Sequence, residues 1–156
     1  MMSLEEPEVQ LKPSQKKKEI MPRIMVVDDD LELLEEIKEI LSFNNYDVEV
    51  MSNSALAFEK ACEIKPDLII TDLKMIPKSG FQLADELHNS LKTKSIPIIA
   101  ITGFFTEKEH LLMMKMFGMK YAILKPFNPT DLIAKVESVL KDSKTNPVPP
   151  AATESK

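Results

Sequence analysis

Six residues carry side chains whose types and spacing could do chemistry. Asp28, Asp29 and Asp30 follow directly on the apolar run Ile24-Met25-Val26-Val27. Asp72 closes the apolar run DLIIT, Thr102 closes IPIIAI, and Lys125 follows YAIL and precedes Pro126. Adjacent carboxylates repel, and a divalent cation, a helix N-terminus or plain solvation are the ways to offset that repulsion. Carboxylates gathered with a hydroxyl and an ammonium suit a hard cation and an anionic group. Mg²⁺ takes oxygen ligands, keeps several waters, and is typically held by one or two carboxylates plus phosphate oxygens. Asp28, Asp29 and Asp72 are the oxygen set for such an ion. Asp30 has a separate task, capping a helix that starts at Leu31.

These residues lie far apart in the chain, so the elements must bring them together. Apolar runs at 24–27, 47–51, 67–71, 96–101 and 121–124 read as strands. Amphipathic stretches at 31–43, 54–65, 81–91, 106–117 and 129–141 read as helices between and after them. Leu34, Ile37 and Leu41 are spaced for one face of the first helix. Gly80 precedes the third, the fourth ends near Gly118, and Asn128-Pro129 is an N-cap with proline at the first helical position. The first, third and fourth strands are apolar on both faces, as a parallel sheet covered on both sides requires. Five alternating strand–helix pairs predict an α/β fold, a three-layer doubly wound sandwich with a five-stranded parallel sheet and five helices. In that architecture ligands bind beyond the carboxyl ends of the strands, near the switch in strand order. Asp28, Asp72, Thr102 and Lys125 all fall at such ends, and strand 2 contributes no ionisable group there.

Composition sets the outer bounds. The chain has 156 residues and is 44% hydrophobic, enough for one domain with a proper core. Its net charge of −5 argues against nucleic acid as the main partner. The single cysteine, Cys62, rules out an internal disulfide framework and fits a reducing cytoplasm. The acidic start MMSLEEPEVQ has no signal-peptide pattern, and no apolar run approaches the ~20 residues of a membrane span. Residues 1–20 read as a flexible N-terminal tail, 21–142 as the folded domain, and 143–156 as a disordered Pro-rich C-terminal tail. The run Lys16-Lys17-Lys18 belongs to the first tail and reads as solvated, with an acidic partner as the alternative.

The motifs VVDDD, PDLIITDLKM with Gly80 downstream, PIIAITG and LKPF occur in this order, each at a strand end. The chain thereby resembles the receiver domain of bacterial two-component response regulators, over residues 21–142. The resemblance implies a flavodoxin-like receiver fold and a set of roles. Asp72 matches the phosphoacceptor, attacking a phosphohistidine or a small phosphodonor to form an acyl phosphate. Asp28 and Asp29 match the pair that binds Mg²⁺, with Lys74 adding only its backbone carbonyl. Lys125 matches the lysine that pairs with Asp72 and then with the phosphoryl group, and Thr102 the hydroxyl that moves onto a phosphoryl oxygen. The bond Lys125-Pro126 is expected to be cis, and Gly103 to leave room for the incoming group. Implied partners are a sensor histidine kinase or histidine phosphotransfer protein and a downstream protein target. A homodimer would use the face of helix 4, strand 5 and helix 5. The implied role is signalling rather than enzymatic. No DNA-binding or enzyme pattern follows residue 142, which reads as a stand-alone receiver.

Three places depart from the family pattern. Ile76 stands where proline is usual and Pro77 comes one later, while Gly80 keeps its place. The stretch from Thr102 to Lys125 is one residue longer, which the loop GFFTEKE can absorb. The switch aromatic is replaced by Ala122, with Tyr121 one place off and Phe104 or Phe105 as substitutes. Lys74 and Phe104 stand where side chains govern the phosphate's lifetime, and their bulk points to slow self-dephosphorylation.

Other readings compete. A pseudo-receiver acting purely by protein contact would not need every acidic, hydroxyl and lysine position filled. A dehalogenase-type phosphatase shares the D-x-D spacing of Asp28 and Asp30, but Leu31 and Glu32 follow. A flavin site would want a Ser/Thr/Gly-rich loop where the acids stand. His88 and His110 lie on different helices without a metal-ligand pattern. Cys62 reads as a small core residue. In LLMMKMF, Leu111, Met114 and Phe117 are assigned to the core, leaving Met113 and Met116 on the surface, where methionines adapt to partners.

Overall fold

The computed structural model describes residues 20–103 and 108–145, with the side chains of 109, 110, 113 and 145 left aside. The elements follow the alternation expected. They are β1 (Arg23–Val27), α1 (Leu31–Phe43), β2 (Asp47–Met51), a 3₁₀ turn (Ser54–Leu56), α2 (Ala57–Ile64), β3 (Leu68–Asp72), α3 (Gly80–His88), β4 (Ile98–Thr102), α4 (Lys108–Met116), β5 (Tyr121–Leu124) and α5 (Pro129–Thr145). All strands pair in parallel, in the order β2-β1-β3-β4-β5.

The sheet is buried on both faces, and the alternation of side chains divides it into two cores. Met25, Val27, Ile69 and Ala100 pack towards α2, α3 and α4, where Ala57, Ala61, Leu83, Leu87 and Met114 meet them. Ile24, Val26, Leu68, Ile70, Ile99 and Ile101 pack the other way, onto Leu34, Ile37 and Leu41 of α1 and Leu132, Val136 and Val139 of α5. This is why the central strands read as unbroken apolar runs. Each such side chain contributes roughly 1.5–3 kcal/mol by leaving water. β2, an edge strand, is half-buried throughout and mixes Asp47 and Glu49 with its valines.

Helix ends obey local chemistry. The Asp30 carboxylate accepts from the backbone N–H groups of Glu32 and Leu33 and caps α1. Asn128 accepts from the N–H of Asp131 at 2.8 Å and caps α5, with Pro129 opening the helix. Ser79 and Gln82 form a reciprocal capping box at α3. Gly118, at φ +80°, turns the chain out of α4.

Some boundaries shift by more than one residue. The stretch read as one helix over 54–65 divides into the 3₁₀ turn and α2, because Asn53 caps the short turn first. α3 stops at His88, where Asn89 caps it, three residues before the expected end. β4 starts at Ile98, just past Pro97, and α5 runs to Thr145, three residues into the stretch read as tail. Leu111, assigned to the core, is instead 44% exposed. The helix α4 docks through its last turn, where Met114 is buried, Phe117 packs against the core and Met119 follows, while Lys108, Leu111 and Leu112 are exposed. Met116 is exposed as expected, Cys62 is only half-buried, and Met113, Phe104, Phe105 and His110 lie outside the described side chains.

One close approach fixes the fold near the site. A Cβ added at Gly80 would collide with the backbone carbonyl of Asp72 and lie 2.9 Å from the Cα of Leu73. The Gly80 N–H also donates to the Leu73 carbonyl at 2.9 Å. Only glycine lets the start of α3 sit on the end of β3 in this way. At Gly103, by contrast, a Cβ would meet nothing within 4 Å. Gly80→Ala is therefore expected to destabilise the protein by about 3 kcal/mol, and Gly103→Ala by less than about 0.5 kcal/mol. Urea unfolding of the two variants checks this, and equal midpoints would refute it.

Candidate functional site

The strand register brings the candidate residues to one edge. Val27 pairs with Thr71 and Asp72 with Ile101, so Asp28 and Asp72 leave the sheet at neighbouring positions. Thr102 pairs with Leu124, and the Lys125 N–H donates to the Thr102 carbonyl at 2.8 Å, which carries Lys125 to the same edge. The strand order reverses at β1, with α1 on one face and α2 on the other. The crevice between the carboxyl ends of β1 and β3 is thus the place where this architecture binds ligands.

Asp28 is 1% exposed. Its Oδ1 accepts from the Asp30 N–H at 2.9 Å, and its Oδ2 from Lys125 Nζ at 3.3 Å. Its own N–H donates to the Met51 carbonyl at 3.2 Å. Asp72, also buried, accepts at Oδ1 from the Leu73 N–H at 2.9 Å and pairs there with Lys125 Nζ at 3.5 Å. One ammonium therefore bridges two buried carboxylates. Asp29, exposed, brings a third carboxylate, and one oxygen from each of Asp28, Asp29 and Asp72 lies within 4.8 Å of the others. Two buried acids and one exposed acid at that spacing fit a hard cation reached from solvent. Among the described residues no other group of His, Cys, Asp or Glu gathers in this way.

The electrostatics follow from burial. Desolvation pushes the Asp28 carboxyl above the ordinary carboxylate range, against the Asp30 N–H and the Lys125 ammonium, which pull it down. Desolvation likewise raises Asp72, and the neighbouring Asp28 charge adds to the rise. Lys125 and the Leu73 N–H oppose it without cancelling it.

Thr102 is 1% exposed and stands one position past the Asp72 partner on β4. Lys125-Pro126 is cis, as expected, and so is Ile76-Pro77. Tyr121 does not take the place of the missing aromatic. It packs on the α1–α5 side of the sheet, where burial and the nearby Asp142 carboxylate push its hydroxyl pKa up, whereas Ala122 faces the α3–α4 side. On that side the rings of Phe81 and Phe117 lie 5.9 Å apart, and Phe81 shares a cleft of about 430 Å³ with Leu73, Lys74, Ile76 and Thr102.

Two supports escaped the sequence reading. The buried Ser54 hydroxyl accepts from the Lys78 N–H at 3.0 Å and ties the loop after β3 to the turn after β2. No local pattern announces a bond across 24 residues. The Ser79 capping box carries a local signal, the spacing S-x-x-Q.

The comparisons agree on one family. The family model for the response regulator receiver domain matches residues 24–137. The sensory transduction protein BceR of Halalkalibacterium halodurans is 33% identical over 124 residues, 78% of this chain and 51% of its own length. The chain thus spans about half of that relative. Among solved structures, the chemotaxis protein CheY4 of Vibrio cholerae superposes with a TM-score of 0.73 at 28% identity, covering 76% of this chain and 98% of its own. A CheY-like receiver domain protein of Methanospirillum hungatei gives 0.75 at 28% identity, covering 80% and 98%.

The raised pKa values of Asp28 and Asp72 set a direction for stability. A carboxyl raised on folding favours the fold in full below its unfolded pKa, and that contribution is lost as pH rises through the folded value. The cation-free protein is therefore penalised at neutral pH. Asp72→Asn keeps the shape and removes a charge. Without divalent cations it is expected to raise Tm at pH 7 by about 3–5 °C. The gap should narrow as pH falls through the raised Asp72 value and close below the ordinary carboxylate range. Thermal unfolding by circular dichroism measures both, and an equal Tm at pH 7 would count against the penalty.

Proposed function

The chain belongs to the response regulator receiver family, and from that membership we propose that it is a phosphoacceptor switch whose nucleophile is Asp72. The observation that carries the proposal is the single ammonium of Lys125 reaching both Asp28 and Asp72 at the carboxyl edge of the sheet. Phosphoryl transfer asks a protein mainly for in-line positioning and charge neutralisation, and these residues supply both.

Oδ1 of Asp72 is held by the Leu73 N–H and Lys125, which leaves Oδ2 to attack the phosphorus. With a phosphohistidine donor, the P–N bond breaks as the carboxylate O–P bond forms, and the imidazole departs with the bonding pair. Lys125 then lies within reach of the transferred phosphoryl oxygens. Asp28, Asp29 and Asp72, with the Lys74 backbone carbonyl, would hold Mg²⁺, which supplies neutralisation of the phosphoryl charge when bound. Thr102 offers its hydroxyl from the adjacent strand. The donor is a sensor histidine kinase or a histidine phosphotransfer protein. The readout is a protein-interaction surface on α4 and β5, where Leu111, Leu112, Met116 and Leu124 are exposed.

Intact mass after incubation with Mg²⁺ and acetyl phosphate tests the assignment. One phosphoryl group should appear, and none without Mg²⁺ or in Asp72→Ala. Lys125→Ala should slow the transfer about 10- to 100-fold. Absence of both a phosphoryl adduct and a beryllofluoride-induced change in amide NMR shifts would leave a pseudo-receiver as the better reading.

Lys74 is exposed at the lip of the cleft beside Asp72. A long side chain there obstructs an attacking water, so the acyl phosphate should persist for minutes or longer. Replacing Lys74 and Phe104 together with small polar residues should shorten that lifetime. A lifetime of seconds, unchanged by the double replacement, would defeat the idea.

A further inference from the structure

A second cavity lies at the opposite end of the sheet. It occupies about 370 Å³ at the amino ends of β4 and β5, where Ile98 and Tyr121 begin their strands. That size falls within the range of small-molecule sites. None of its lining residues belongs to the acidic edge.

The lining has an apolar floor and a basic rim. Ile96, Pro97 and Ile98 form the floor beside the Tyr121 ring. His88, Lys94 and Lys120 stand around it. The one acidic group in the lining, Asp142, lies beside the Tyr121 hydroxyl. Two lysines and a histidine thus outnumber the one carboxylate of the lining, on a chain whose net charge is −5. A basic rim on an acidic protein is a local field that selects anions. Gly118 adds a steric observation. At φ +80° it has no side chain, and a Cβ there would press to 3.1 Å from His88 Nδ1. The glycine lets the imidazole lie over the turn at the mouth of the cavity.

We propose that this cavity is a binding site for a small anion with a flat apolar ring, its ring on the Ile96–Ile98 floor and its negative group between Lys94 and Lys120. The apolar floor supplies affinity by leaving water, and the two lysines fix the orientation of the charge. The proposal is independent of the phosphoacceptor reading, because no residue is shared between the two sites.

The test is an amide NMR titration of the full chain with 2-naphthoate, beside its neutral counterpart 2-naphthalenemethanol. Naphthoate should shift amides at 94–98 and 118–121 in a saturable way. The neutral analogue should bind at least about tenfold more weakly, the effect of roughly one favourable ionic contact. Lys94→Glu with Lys120→Glu should lower naphthoate affinity by a similar factor or more, while leaving the remaining amide spectrum, and so the fold, intact. No shifts in the millimolar range, equal binding of the neutral analogue, or binding unchanged in the double variant would each overturn the proposal. Should the double variant lose its fold, Lys120→Gln alone provides the same comparison.

Discussion

Two carboxylates sit side by side in the protein interior with one ammonium between them. Everything at the carboxyl edge of the sheet is arranged around that crowding. Burial disfavours the charged forms of Asp28 and Asp72. Lys125, the Asp30 N–H and the Leu73 N–H each pull back towards the charged form without fully succeeding. The edge is thus left short of positive charge, a deficit suited to a cation and to a group that brings its own partners. A site already neutralised would have no reason to bind either.

The sheet makes this crowding possible at tolerable expense. Both faces are covered, so the strands can be apolar throughout and their ends held in fixed register. The two aspartates inherit that precision from backbone pairing rather than from side-chain packing. Lys125 inherits it from the N–H bond to Thr102. The polar set therefore depends on the apolar one, because the two cores fix the strand ends that carry it.

Much of this was legible in the residues. Apolar runs at 24–27 and 47–51 and the helix at 31–43 announced themselves by period, and the acid, hydroxyl and lysine positions by falling at strand ends. Asp30 and Asn128 were readable because capping is a local affair. What escaped was non-local. Ser54 holds a loop 24 residues away, and no window around it shows that. Leu111 has the spacing of a core residue, yet a short helix anchored at its far end leaves it in water. Tyr121 looked one place from the switch aromatic, but one residue along a strand is a change of face, and it lies on the wrong side of the sheet.

The contact at Gly80 divides the molecule mechanically. On one flank, the start of α3 is seated directly on the backbone of Asp72 and Leu73 and hydrogen-bonded to it, while Ser54 clamps the connecting loop. That flank behaves as a stator. On the other flank, the ends of β4 and β5 are tied to each other, through the Lys125 N–H on the Thr102 carbonyl at 2.8 Å. At Gly80 the end of β3 and the start of α3 are joined as one rigid piece. The absence of a methyl group at Gly80 is thus what lets a helix start and a strand end share a single support.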